Sequence, residues 1–432
     1  MRELSIKKIA EVIGATTVPQ TEKTAQRICI DSRLVRAGDC FFAVKGDNFD
    51  GHAFVDNALA GGAVCAVVSD ARKAANILNV ADTVKALGLL ANYYRRQAGY
   101  KVVAITGSAG KTTTKNMIYH VLNRHFLCYK SPKSFNNNIG VPLTLLGAGA
   151  DCEIVIAEIG SNHPGEISPL SIMTEPDITV ITNIYPTHLE GFGSIEAIVK
   201  EKVSITDGLR KSGKFLINGN FEQLKSCCDK KKLSFETFDI NSMDVTLPVP
   251  GAANIENASA ARAVCSEFGI TARLFAEAIQ TFSAGQMRME ILKFGSVTVL
   301  NDCYNANPAS MANATEVLKV MAAEQNRRAV FICGTMAELG NQSQMYHARL
   351  GIEVAKMEIG LLLTAGPLAA ETAQAAKTTA GGRVVVEIFE NIKQLCDNLV
   401  KFIKPDDIVL VKASRSEKFE AIVDKLKELF DI

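Results

Sequence analysis

Residues 101–115, KVVAITGSAGKTTTK, limit what this chain can fold into more than any other stretch. A β-branched run ends at Thr106, a glycine loop follows, and Lys111 opens a helix. In that geometry the backbone N–H groups of Gly107, Ser108, Ala109, Gly110, Lys111 and Thr112 can converge on a polyphosphate. The positive end of the helix favours the same anion. Lys111 would reach the terminal phosphates, and the Thr112 hydroxyl would take a place on Mg²⁺. The plain alternative is a glycine turn between strand and helix, but Gly-Lys-Thr in this context is the specific form of the signal. Ile105 stands five residues before Gly110, where the standard pattern has glycine, so the loop is a variant nucleotide cradle.

The surrounding pattern predicts an α/β protein. At 432 residues the chain is too long for one core and suggests about three domains of roughly 150 residues. Short strands and one helix fill the first 80 residues. A helix from Asp82 leads into the cradle, and strands then alternate with helices, as in a parallel sheet covered on both faces. An irregular, lysine-rich stretch covers about 220–250, and two helices follow. Near Ala284 a second strand–helix alternation begins, with strands expected at 297–300, 329–332, 361–363, 384–387 and 408–411. The expected units are 1–81, 82–283 and 284–432: a small mixed α/β domain, a P-loop parallel-sheet domain and a Rossmann-like domain.

Charge and cysteine usage remove other classes. The net charge of +1 gives no field directed at nucleic acid or a membrane surface. No apolar run reaches the roughly 18 residues of a membrane span. Ile6, Ile9, Ala10 and Ile13 are spaced as on an amphipathic helix, not as in a signal peptide. Eleven cysteines without Cys-x-x-Cys suggest small buried residues in a reducing, cytoplasmic compartment.

Several polar groups fall where strands are expected to end, the rim on which ligands of open parallel sheets bind. Glu158 closes Ile-Val-Ile-Ala-Glu and could hold Mg²⁺. His188, in Thr182–Glu190, lies on the same rim. Lys202 follows 14 residues later and reads by itself as a solvated charge beside Lys200 and Glu201. Arg33 and Lys45, in polar segments at 31–33 and 45–52, suit an anionic ligand. Asn136, Asn137 and Asn138 are either turn chemistry or amides addressed to a ligand. Asp302–Pro308 and Lys412–Arg415 share that ambiguity.

Taken together these segments resemble the Mur ligase family, ATP-dependent amide-forming enzymes of peptidoglycan synthesis. The family cradle T-G-[ST]-x-G-K-T-[TS] is matched by Thr106 through Thr113, including the absent early glycine. The resemblance runs from Asp-Ser-Arg at 31 to Lys-Ala-Ser-Arg at 412. Within the family, Asp302–Met311, Gly334–Gly340 and His188–Gly193 are similar to the branch that adds a dipeptide. That resemblance implies ATP and two Mg²⁺ ions, with Thr112, Glu158, His188 and a carbamylated Lys202 on the metals. It places Thr113, Asn254, Asn257, Arg288 and Asp302 around the nucleotide. Ser32, Arg33, Lys45 and Asn136–Asn138 sit where the family handles a UDP-sugar. Ala253, Ser204 and Ala413 replace the histidine, glutamate and glycine usual in the family.

The implied reaction joins D-alanyl-D-alanine to UDP-N-acetylmuramoyl-tripeptide through an acyl phosphate, in a monomer. The alternatives are a sister ligase adding the third stem residue, and a P-loop NTPase switch.

Overall fold

The computed structural model describes residues 1–19, 21–46, 49–72, 74–239 and 245–431. Parts of the polar segment at 45–52 and of the irregular stretch at 220–250 therefore lie outside the described residues. Three sheets organise the chain. In the first 80 residues a ribbon of β1 (Leu4–Ser5) and β2 (Thr24–Ala25) stands beside a four-stranded parallel sheet. That sheet has the order β3 (Arg27–Cys29), β4 (Asp39–Phe42), β5 (Cys65–Val68), β6 (Ile77–Asn79).

The central sheet contains β7 (Lys101–Thr106), β8 (Cys128–Lys130), β9 (Ile154–Glu158), β10 (Ile178–Ile181), β11 (Lys214–Asn218) and β12 (Glu236–Phe238). All six strands are parallel, in the order β12-β11-β10-β7-β9-β8. β7 therefore lies between β9 and β10, which extend the sheet in opposite directions. A crevice opens beyond its carboxyl end, where such folds bind ligands. The near-continuous burial of β7, β9 and β10 reflects helices on both faces. The short strands β8 and β12 escaped the sequence pattern; each has three residues, too few for a periodicity to register.

The third sheet holds β13 (Glu290–Phe294), β14 (Val297–Asn301), β15 (Ala329–Cys333), β16 (Leu361–Ala365), β17 (Val385–Phe389) and β18 (Ile408–Lys412), in the order β13-β14-β18-β15-β16-β17. Five strands are parallel, and β13 adds an antiparallel edge. β13 was not anticipated because its partly exposed residues lack the apolar run of its neighbours. Its hairpin turns at Gly295, whose φ of +54° suits glycine. One apolar cluster continues from Val103 and Met117 through Phe275 to Leu318 and Phe331. The central and C-terminal units thus share packed apolar surface.

Helix Thr83–Ala98 leads into β7, and its Arg95 is 1% exposed. The guanidinium donates to the carbonyls of Thr174 (3.0 Å), Tyr100 (2.7 Å) and Glu175 (3.1 Å), and to Asp177 Oδ2 (2.9 Å). Removing it strands several buried acceptors. Arg95→Met should therefore cost about 3 kcal/mol, read as an earlier urea midpoint. An unchanged midpoint would show that water or neighbouring cations replace the guanidinium.

Candidate active site

The cradle forms as expected, and its loop is built for glycine. Gly107 and Gly110 have φ of +146° and +79°. A Cβ on Gly107 would lie 2.0 Å from Thr182 Oγ1, and one on Gly110 would lie 2.0 Å from Asn257 Oδ1. Helix Lys111–Leu122 starts after Gly110 without a side-chain cap, so its first N–H groups have no side-chain acceptor. The loop is braced from the end of β10. Ala109 N–H donates to Asn183 Oδ1 (2.8 Å), and Ser108 Oγ donates to the Tyr185 carbonyl (2.9 Å). Thr182 Oγ1 donates to the Ala109 carbonyl (2.7 Å). Lys111 folds back, its Nζ donating to the Gly107 carbonyl at 2.7 Å. Burial lowers the pKa of its amine.

Glu158 is not the solvated strand end that its type would suggest; it is 1% exposed. Its Oε2 accepts from Thr112 Oγ1 (2.7 Å) and faces Lys115 Nζ (3.4 Å), and its Oε1 accepts from Asn136 Nδ2 (3.0 Å). Among the described residues no three His, Cys, Asp or Glu side chains form a metal cluster. One carboxylate and one hydroxyl, both hard oxygen donors, fit a Mg²⁺ that takes its other ligands from phosphate and water.

Lys202 corrects the surface reading. It lies near the end of helix Ile195–Val203, is 1% exposed, and donates to Ser161 Oγ at 2.8 Å. Burial, and then the Lys111 charge, lower its pKa to about 7. A buried ammonium cannot ligate a metal, whereas a neutral buried amine can capture CO₂. Glu201 is also buried, and its carboxylate accepts the backbone N–H groups of Gly165, Glu166 and Ile167. Ser204, at the family's glutamate position, donates to the Glu201 carbonyl at 2.6 Å.

A cavity of about 870 Å³ joins the cradle to the C-terminal unit, with Glu158, His188, Asn254, Asn257, Arg288 and Asp302 on its walls. His188 Nδ1 contacts the Glu338 carboxylate across the two units, an interaction that lowers the Glu338 pKa. Asn257 Oδ1 accepts from Thr114 Oγ1 (3.2 Å), and Asn254 Nδ2 donates to the Pro250 carbonyl (2.7 Å). Arg288 stacks 4.0 Å from the Tyr304 ring centroid, and Lys412 Nζ lies 2.6 Å from Asp302 Oδ2. The sequence reading left Lys412 open and did not single out Asn183, Glu338 or Lys115. No spacing rule could pair Lys412 with Asp302, 110 residues apart.

The remaining candidates lie apart. Asn137 Oδ1 accepts the N–H groups of Ile139 and Gly140, so it serves the turn, and Asn138 is exposed. Ser32 opens a short 3₁₀ turn in which the Asp31 carboxylate pairs with Arg33 at 2.7 Å. Lys45 is exposed and bridges Asp50 through the backbone. Ser32, Arg33 and Lys45 are not on the cavity wall.

Three family models match the chain in succession. Residues 24–102 match the Mur ligase family catalytic domain, 105–244 the Mur ligase middle domain, and 287–415 the Mur ligase glutamate ligase domain. The chain is 34% identical to UDP-N-acetylmuramoyl-tripeptide–D-alanyl-D-alanine ligase of Bacillus subtilis (strain 168), over 99% of each chain. It is 32% identical to the Escherichia coli (strain K12) ligase of that name, over 94% of each. A crystal structure of MurF from Acinetobacter baumannii superimposes with a TM-score of 0.89 at 28% identity, covering 99% of both chains.

Proposed function

The chain belongs to the Mur ligase family, and from that premise we propose how its cavity works. The protein is an ATP-dependent ligase that adds D-alanyl-D-alanine to UDP-N-acetylmuramoyl-tripeptide in peptidoglycan synthesis. The observation that carries the site assignment is the single cavity shared by the cradle, Glu158, Arg288 and Asp302.

In this reading residues 1–81 hold the UDP-sugar through Ser32, Arg33 and Lys45. Residues 82–283 hold ATP, and 284–432 close over it. The loop 107–113 wraps the phosphates, and Lys111 leaves the Gly107 carbonyl to meet the transferred phosphoryl group. Asn254, Asn257, Arg288 and Asp302 fix the nucleoside side. Asn136, whose loop 131–138 lies on the UDP-tripeptide side in this reading, holds Glu158 at the reacting end. Thr112 and Glu158 would hold a Mg²⁺ ion, which would supply neutralisation of the charge developing on the phosphates. The tripeptide carboxylate attacks the γ-phosphorus, ADP leaves, and an acyl phosphate forms. The dipeptide amine then attacks the acyl carbon, phosphate leaves with the bonding pair, and the amine proton passes to solvent. Closure of the C-terminal unit keeps water from the acyl phosphate.

A second Mg²⁺, with His188 as its other proposed holder, would need a carbamate on Lys202, because the amine form supplies no anionic oxygen. The reaction is assigned to the cytoplasm: the eleven cysteines are all free thiols, as a reducing compartment favours. No helix among the described residues is long and apolar enough to cross a membrane. A monomer suffices, since one chain completes the cavity.

The test uses Mg-ATP and UDP-N-acetylmuramoyl-tripeptide, with phosphate release as the readout. D-Alanyl-D-alanine should trigger release and yield a UDP-pentapeptide by mass, while lysine, diaminopimelate and glutamate should not. Extension of the UDP-dipeptide by one diamino acid would identify the sister ligase. Release indifferent to any acceptor would identify an NTPase.

A further inference from the structure

Lys115 lies one turn beyond Lys111 and Thr112 on the cradle helix and is 1% exposed. A buried lysine needs partners, and this one has three acceptors, two on one loop and one at the end of β9. Its Nζ donates to the Ser131 carbonyl (2.9 Å) and the Lys133 carbonyl, and it faces Glu158 Oε2 at 3.4 Å. Lys133 has a φ of +47°, a conformation unfavourable for a side-chain-bearing residue. Its carbonyl is thus held toward the amine at the turn that opens the loop 131–138. Farther along that loop Ser134 Oγ meets the Tyr304 hydroxyl of the C-terminal unit at 2.5 Å, and Asn136 holds Glu158. The amine consequently ties the ATP helix, the carboxylate beside it and the loop leading to both other walls of the cavity.

We infer that Lys115 is a positioning residue that sets the loop 131–138 for the UDP-linked substrate from the ATP-binding helix. It touches no reacting atom in this arrangement; it acts through the Ser131 and Lys133 carbonyls and through Glu158. The inference rests on the proposed assignment of Asn136 and its loop to the UDP-tripeptide side. Nucleotide binding at the cradle should therefore order that loop before the second substrate arrives.

The test uses the full chain with Lys115→Met, which keeps the volume and removes the charge. The KM for UDP-N-acetylmuramoyl-tripeptide should rise about tenfold, with a lower kcat. The calorimetric Kd of a non-hydrolysable ATP analogue with Mg²⁺ should change less than about threefold. In a double-mutant cycle with Asn136→Ala, the KM effects should be less than additive, because both variants act through one loop. An unchanged tripeptide KM, equal losses for ATP and tripeptide, or additive effects would each overturn the inference. The unmutated protein supplies an independent readout if Lys115→Met fails to fold. The ATP analogue alone should slow amide exchange in 131–138, and unchanged exchange there would also overturn the inference. Absence of tripeptide turnover by the unmutated protein would instead count against the proposed function.

Discussion

Lys111→Ala leaves a folded protein whose turnover falls by about 10³-fold or more, the scale of losing a major charge-stabilising group in phosphoryl transfer. Alanine is a strong helix former, so the first turn of helix Lys111–Leu122 survives. The amine's hydrogen-bond partners are loop carbonyls, chiefly that of Gly107. Its loss therefore breaks no ion pair at 4.0 Å or less among the described residues and should barely move the melting temperature. The effect falls on kcat, because the cation is needed where charge develops on the transferred phosphoryl group. Steady-state kinetics with circular dichroism as the folding control checks this. Near-normal kcat in a folded variant would remove Lys111 from the mechanism.

Lys202→Ala should lower ligation by about 10²-fold or more, if its carbamate carries the second metal. Carbamate formation joins the neutral amine to CO₂ and releases one proton. Burial, which lowers the Lys202 pKa to about 7, makes that neutral form accessible near neutrality. Activity in CO₂-depleted buffer should consequently drop most below pH 7 and recover with bicarbonate. The same shift fixes a stability trend for the unmodified protein. The unfolded lysine, with a value near 10.5, binds more protons than the folded one between about pH 7 and 10.5. Stability attributable to this group therefore rises with pH across that window. Short carboxylic acids should partly rescue Lys202→Ala by supplying the missing oxygens. A ¹³C-carbonate NMR experiment showing no carbamate signal that Lys202→Ala removes, in a fully active sample, would refute the modification.

The proposed roles differ in how the chain itself exposes them. Gly107, Gly110, Lys111 and Thr112 are contiguous, and their chemistry is local: a loop, a helix start, a cation and a hydroxyl. Glu158 could be placed on the same rim because a parallel sheet aligns strand ends. Lys202 could not be read this way, since its neighbours Lys200 and Glu201 suggested a solvated face. Only packing against Phe192 and Ser161 shows it to be buried. The Asn136–Asn138 run divides for a similar reason: adjacent amides point to a carboxylate, a helix start and solvent.

By itself the sequence determined the three-unit α/β architecture, the glycine loop between β7 and its helix, and the strand ends beside that loop. Each depends on periodicity, glycine conformation or contiguous motif, which act over a few residues. Tertiary structure alone decided that Lys412 meets Asp302, that Glu338 meets His188 and that Lys115 is buried against Glu158. Those pairings cross 43 to 150 residues of chain. They exist because sheet order and the packing of one unit on another bring distant charges together, and burial makes each charge require a partner.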